Sequence, residues 1–138
     1  MLQVLEDAKR KPLLFVWNGP QDRSAVHNRL VAGGWKVPDD LLAFWMETGG
    51  GDVFETEEIL CPTREEFDSM METLQARGLS TRWLVFHVGL GVSAVRQPSG
   101  DIVVLDSTSL TPLETYATFD AWYCGYVRRE YGARYGLP

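Results

Sequence analysis

Apolar residues recur at helical spacing in four segments of the chain. The clearest segment begins at Thr63, where T-x-x-E matches a capping box, and ends at Gly78. Its apolar side chains lie at i, i+3, i+4 and i+7, at Phe67, Met70, Met71 and Leu74. This spacing predicts a helix with one buried face.

The other three segments predict helices of different burial. Asn18-Gly19-Pro20 opens a helix that runs to about Ala32 and has a narrow apolar face, which indicates a surface position. Pro38-Asp39-Asp40 opens a helix that is apolar on most of its circumference and should be largely buried. Thr118 is a plausible cap for a final helix whose apolar stripe would dock on a sheet; the stripe consists of Phe119, Trp122, Tyr123, Tyr126 and Val127.

Short apolar runs between these helices predict strands. The turn Gln97-Pro98-Ser99-Gly100-Asp101 is too short for a crossover, so the strands around it should pair antiparallel. We therefore predict an α+β fold with a bent antiparallel sheet flanked by helices. The predicted strands are Leu13–Trp17, Val53–Leu60, Trp83–Val88, Val92–Arg96, Ile102–Asp106 and Leu113–Ala117. The side chains expected to be mostly buried are Leu41, Phe44, Trp45, Phe67, Leu74, Phe119 and Trp122.

Composition fits one compact domain over residues 1–138. The apolar fraction of 45% and the charged fraction of 23% are ordinary globular values. No apolar run approaches the length of a membrane span and the N-terminus is unlike a secretory signal, so we expect a cytoplasmic protein without membrane contact. Cys61 and Cys124 are too few for a disulfide framework, and we expect both to be buried thiols.

Negative charge is concentrated in one part of the chain. The formal net charge is −6. The segment from Asp39 to Glu72 contains eleven acidic residues and one basic residue, Arg64. A surface of this sign repels nucleic acid and attracts a basic protein partner. We predict that the acidic segment from Asp39 to Glu66 forms one contiguous surface that binds this partner; its residues are Asp39, Asp40, Asp52, Glu55, Glu57, Glu58, Glu65 and Glu66.

Catalytic motifs are weak. Gly89-Leu90-Gly91-Val92-Ser93-Ala94 matches a dinucleotide fingerprint, but only a strand-length segment follows it, so a hairpin turn fits better. A triad of His87, Ser93 and Asp106 stays open, since triads assemble in space. Neighbouring acid pairs point apart, which argues against a glycosidase. We predict no catalytic residue, no cofactor and no metal.

The ordered set of motifs resembles the SUKH superfamily. The set is W-x-G-P before the first helix, V-P-D-D-L-L-A-F opening the second, a glycine turn, G-D-I-V-V-L-D in the meander and a terminal T-F-D-A-W. The resemblance covers roughly Trp17 to Tyr131. The matching residues are Trp17, Gly19, Val37, Pro38, Leu41, Phe44, Gly50, Gly51, Gly100, Asp101, Leu105, Asp106 and Phe119.

The resemblance implies a non-catalytic protein that binds and blocks a cognate bacterial toxin, often a nuclease. The chain departs from the family pattern in its triple glycine and in the acid-rich helix from Thr63 to Gly78. A regulatory or adaptor protein of the same fold, with a housekeeping partner, is the alternative. An enzyme would require a deep pocket that holds His87 beside Ser93 or a carboxylate.

Overall fold

The computed structural model describes residues 2–138 and contains a seven-stranded antiparallel sheet. The strands lie in the sheet in chain order, so each pairs with the next one along the sequence. The three predicted meander strands are confirmed, with the third ending at Leu105. The strands are β1 Phe15–Trp17, β2 Gly51–Val53, β3 Glu57–Ile59, β4 Trp83–Val88, β5 Val92–Arg96, β6 Ile102–Leu105 and β7 Pro112–Tyr116.

Helices flank this sheet, which confirms the predicted α+β class. A π-helical turn at Tyr123–Val127 joins the last two helices, and a 3-10 turn at Pro12–Leu14 occupies the start of the predicted first strand. The helix at the N-terminus was not predicted. The helices are α1 Gln3–Arg10, α2 Arg23–Gly33, α3 Asp39–Thr48, α4 Glu65–Ala76, α5 Phe119–Trp122 and α6 Arg128–Tyr131.

The core is rich in aromatic side chains. All seven side chains predicted to be buried are buried, and Trp45 has no exposed surface. The Trp45 Nε1–H donates to the Leu60 carbonyl oxygen at 2.8 Å, so the buried indole has a partner for its polar atom. The Phe44 ring lies 4.6 Å from the Phe119 ring, which packs α3 against α5.

The prediction of one strand from Val53 to Leu60 is wrong, because a turn divides the segment into β2 and β3. Phe54 and Glu55 have φ values of 52° and 70°, in the left-handed region that ends a strand. Phe54 is fully buried, and its ring stacks on Tyr131 at 5.2 Å. Burial of this ring explains why a residue without glycine's freedom turns the chain here.

The capping box predicted at Thr63 is also wrong. The helix α4 begins at Glu65, with Arg64 in the cap position and no side-chain cap. The Thr63 hydroxyl instead donates to Gln21 Oε1 at 2.7 Å. The predicted cap at Thr118 is confirmed, since its hydroxyl accepts from the Ala121 N–H at 3.1 Å.

Candidate functional site

Two acidic side chains from β2 and β3 stand side by side on one face of the sheet. Asp52 and Glu58 are cross-strand partners, and both are at least partly exposed, whereas their strand neighbours are buried. Like charges placed directly opposite in a sheet repel each other. Burial raises the pKa of Glu58, and the carboxylates of Asp52 and Glu66 raise it further.

A groove of about 220 Å³ lies between the hairpin formed by β2 and β3 and the start of α4. Glu66 from the first turn of α4 lines it together with Asp52 and Glu58. Two shallow depressions adjoin the groove. Glu65 and Glu66 line both of them, and Glu66 also lines the groove. We call this surface, defined by Asp52, Glu58, Glu65 and Glu66, the acidic groove.

Arg64 introduces one positive charge into the acidic groove. Its Nε lies 3.5 Å from Glu66 Oε2, and this nitrogen is buried without a hydrogen-bond partner in the described part of the chain. The side chain is 36% exposed. Arg64 therefore offsets part of the charge of Glu66, while Asp52 and Glu58 are left to repel each other.

Apolar side chains border the acidic groove. Val16, the β1 partner of Asp52, is 62% exposed on the same face. Met70 lines the depression next to Glu65. Buried apolar contacts supply most affinity at protein interfaces, so these two side chains complement the charges beside them.

The predicted partner-binding acids divide into three groups. Asp52, Glu58, Glu65 and Glu66 lie together in the acidic groove. Glu55 is exposed in the turn between β2 and β3, and Asp39 is exposed at the start of α3. The structure thus gathers half of the predicted residues, because the β2–β3 turn and the start of α4 bring them to one place.

Asp40 and Glu57 have structural roles instead. The Asp40 carboxylate accepts from the Phe119 and Asp120 N–H groups, both at 2.9 Å, and so caps α5. The expectation that Glu57 belongs to an exposed surface is wrong, because only 2% of Glu57 is exposed. Alternating side chains point to opposite faces of a strand, so the pair Glu57/Glu58 cannot lie on one surface.

Glu57 belongs to a buried polar network that also contains His87, Ser93 and Trp122. His87 Nε2 lies 2.9 Å from Glu57 Oε1, and His87 Nδ1 lies 2.9 Å from the Ser93 hydroxyl. The Trp122 Nε1–H donates to the same hydroxyl at 2.9 Å. We call these four residues the polar network.

The triad considered from the sequence is only partly assembled. His87 and Ser93 are in contact, but the carboxylate that binds the second nitrogen of His87 belongs to Glu57 and not to Asp106. Asp106 instead accepts from the Thr108 and Ser109 N–H groups in the following loop. His87 and Ser93 have no exposed surface, so a substrate cannot reach the hydroxyl in this conformation.

The glycines of the supposed dinucleotide fingerprint have packing roles. Gly89 and Gly91 belong to the turn between β4 and β5, and no helix follows them before β5. A Cβ at Gly89 would lie 2.3 Å from Glu57 Oε1, and one at Gly91 would lie 2.6 Å from the Leu105 carbonyl oxygen. Both positions therefore require glycine for close approach.

Metal ligands and cysteine thiols are two further kinds of reactive group. Within residues 2–138, no group of three or more His, Cys, Asp or Glu side chains is placed to hold a metal ion. Cys61 is buried beside the acidic groove, as expected, and burial raises the pKa of its thiol. The expectation for Cys124 is wrong, since it is exposed on the π-helical turn.

Sequence reasoning missed two features of this region. The contact between Glu57 and His87 joins residues that are thirty positions apart, and nothing local marks it. Arg64 was noted only as the lone base among the acids, not as a residue that lines the groove. The one usable signal was the strand alternation at Glu57 and Glu58, which indicates that one of the two acids faces inward.

Comparisons with known proteins add no assignment. No protein-family model matches the sequence, and no curated protein matches it. Among the described residues, no helix has the length and apolar character needed to cross a membrane.

Proposed function

We propose that this chain is a non-catalytic immunity protein of the SUKH type, which neutralises a cognate bacterial toxin by binding it. The acidic groove meets a basic surface of the toxin, for example the active-site face of a nuclease. The complex forms in the cytoplasm, without direct contact to nucleic acid or membrane.

The convergence of Asp52, Glu58 and Glu66 is the observation that carries this proposal. Asp52 and Glu66 repel the Glu58 carboxylate even though Arg64 offsets part of the charge of Glu66, and burial and these two neighbours raise the pKa of Glu58. A cationic side chain of a partner would remove this repulsion. The binding of a basic surface is therefore favoured here more than at a site where acids are already paired.

Residues that match the family pattern occupy positions that shape the fold, which supports the proposed family. Leu41, Phe44 and Phe119 are fully buried. Gly51 has a φ of 147°, and a Cβ there would lie 1.9 Å from the Val16 carbonyl oxygen. A family whose shared residues are structural can present different surfaces to different toxins.

Burial of the only assembled serine–histidine pair among the described residues supports a non-catalytic role. Ser93 and His87 have no exposed surface, and the Ser93 hydroxyl accepts from the Trp122 Nε1–H within the core. A nucleophile requires an open path to its substrate. The pair serves instead to hold β4, β5 and α5 together.

The test is a binding measurement with the protein encoded beside this gene. Surface plasmon resonance at 50 mM and 300 mM salt would compare the wild type with the double variant Asp52→Lys/Glu66→Lys. We expect the association rate at low salt to fall about tenfold or more and its salt dependence to flatten, because steering scales with charge complementarity. The matched control is Glu72→Lys/Glu130→Lys, which makes the same charge change at exposed residues outside the groove.

An equal association rate for the groove variant and the control variant would remove the acidic groove from the interface. Co-expression distinguishes the function itself from its location. A toxic neighbouring protein whose lethality is suppressed by this chain would support immunity. A neighbouring housekeeping protein that binds without toxicity would favour the adaptor alternative.

A further inference from the structure

In the polar network, each hydrogen bond is donated in the same direction, from Trp122 towards Glu57. Glu57 Oε1 is an acceptor, so His87 Nε2 carries the hydrogen and Nδ1 has a free lone pair. The Ser93 hydroxyl donates to that lone pair and accepts from Trp122 Nε1–H. When the imidazole is neutral, every polar atom in the series of hydrogen bonds from Trp122 to Glu57 has a partner.

Glu57 also anchors the β2–β3 hairpin to the rest of the molecule. Its Oε1 accepts a second bond from the Leu90 N–H at 2.9 Å. Its Oε2 accepts from the Thr56 hydroxyl at 3.1 Å and from the Tyr131 hydroxyl at 3.0 Å. The carboxylate thus ties the hairpin to β4, to the turn after β4 and to α6.

The same hairpin carries half of the acidic groove. Asp52 and Glu58 lie on its outer face, while Glu57 and Phe54 hold its inner face against the core. Both of its strands have three residues; β3 meets β4 over two residue pairs, and β2 meets β1 over three. Such a short element relies on its anchors for its position.

A second proton on His87 is incompatible with this arrangement. If Nδ1 were protonated, Ser93 would accept from both His87 and Trp122, and its own hydrogen would need a new acceptor in the core. Burial lowers the pKa of His87, although the Glu57 carboxylate opposes that shift. Burial raises the pKa values of Tyr126, which packs on the imidazole ring, and of Tyr131, so both stay neutral near pH 7.

We propose that His87 is a proton-sensitive anchor of the β2–β3 hairpin: the hairpin is closed while His87 is neutral, and it opens when acid protonates the imidazole. Opening exposes His87 to water, where it binds a proton with an ordinary pKa of about 6.5. Acid then favours the open form by up to tenfold per pH unit below that value. The consequence for the acidic groove rests on the proposed function, whereas the opening itself requires no partner.

Hydrogen exchange on the isolated chain tests this proposal. We expect the protection of amides in and next to the hairpin, such as those of Phe54 and Leu60, to fall about fivefold between pH 6.5 and 5.5 after correction for intrinsic rates. The amides of β5 and β6 should lose much less protection. The variant His87→Gln keeps a side-chain donor without titrating, so its hairpin protection should not change over this pH range.

The two histidines provide a measurement that needs no variant. His27 is exposed on α2 and His87 is buried, so an NMR titration of the wild type resolves the two imidazole signals. We expect His87 to remain the neutral Nε2–H tautomer in the closed form below pH 6.5, the ordinary value for histidine. Unchanged hairpin protection down to pH 5.5, or an equal loss in His87→Gln, would overturn the proposal. Neither result depends on whether a toxin binds the groove.

Discussion

At the scale of single residues, Glu57 and Glu58 are adjacent acids with opposite roles. Glu57 is buried and accepts four hydrogen bonds, and burial raises its pKa while the bonds from His87, Leu90 N–H and Tyr131 hold it below its ordinary value. Glu58 lies on the outer face, beside like charges. The two positions provide a matched pair for mutation, since the residue type and the strand are the same.

We expect Glu57→Lys to lower the free energy of unfolding by about 3–5 kcal/mol, because it places an unpaired cation beside His87. Glu58→Lys should leave stability within about 0.5 kcal/mol of the wild type, since it relieves repulsion at a partly exposed site. Urea unfolding followed by tryptophan fluorescence measures both. Equal destabilisation by the two substitutions would contradict the assigned faces of β3.

At the scale of secondary-structure elements, the turn between β2 and β3 decides where the acidic groove lies. A single strand through this segment would carry Asp52 and Glu58 away from each other, whereas the turn makes them cross-strand partners. The turn places two residues other than glycine in the left-handed region. Phe54 gains burial there, whereas Glu55 is exposed.

We therefore expect Glu55→Gly to raise the free energy of unfolding by about 0.5–1 kcal/mol, because glycine adopts a positive φ without steric cost. The control is Glu65→Gly in the first turn of α4, where the same substitution should cost about 0.5–1 kcal/mol. Thermal unfolding by circular dichroism gives both values. Loss of stability in Glu55→Gly would mean that the Glu55 side chain makes a stabilising contact.

Several elements were predictable from local sequence and others were not. The β4–β6 meander and the cap at Thr118 follow from short-range rules on turns and hydrogen bonds. The Thr63 cap failed because α4 begins at Glu65, which puts Arg64 in the cap position, while the Thr63 hydroxyl points to Gln21, forty-two positions away. Local rules hold where the partners are near in sequence, and they fail where contacts with a distant segment set the direction of a side chain.

At the scale of the whole molecule, the buried ionisable groups make stability depend on pH. Burial raises the pKa of Asp7, but bonds from Arg128, Tyr123 and Gln3 outweigh it and lower that pKa. The pKa of Glu57 is lowered as well, and burial lowers that of His87. At each of these groups the unfolded chain binds more protons than the folded one as the pH falls.

We expect stability to be highest near neutral pH and to decline in two stages on acidification. The first decline begins below about pH 6.5, where His87 binds a proton in the unfolded chain but not in the closed folded form. The second begins below about pH 4.5, where Asp7 and Glu57 lose the stability of their bonded carboxylates. Urea midpoints from pH 3 to 8 measure the profile. The first stage should vanish in His87→Gln and persist in His27→Gln, and a flat profile from pH 6.5 to 5 would contradict it.

The sequence alone determined the α+β class, the antiparallel meander, the seven buried side chains and the acidic character of the segment from Asp39 to Glu72. Each of these depends on spacing or composition within a short window. Tertiary structure alone decided which acids share a surface: Glu57 faces His87 in the core, Asp40 caps α5, and Asp52 meets Glu58 and Glu66. The residue type determines the charge of a side chain, but chain reversals and contacts between distant segments determine which side chains lie next to it in space.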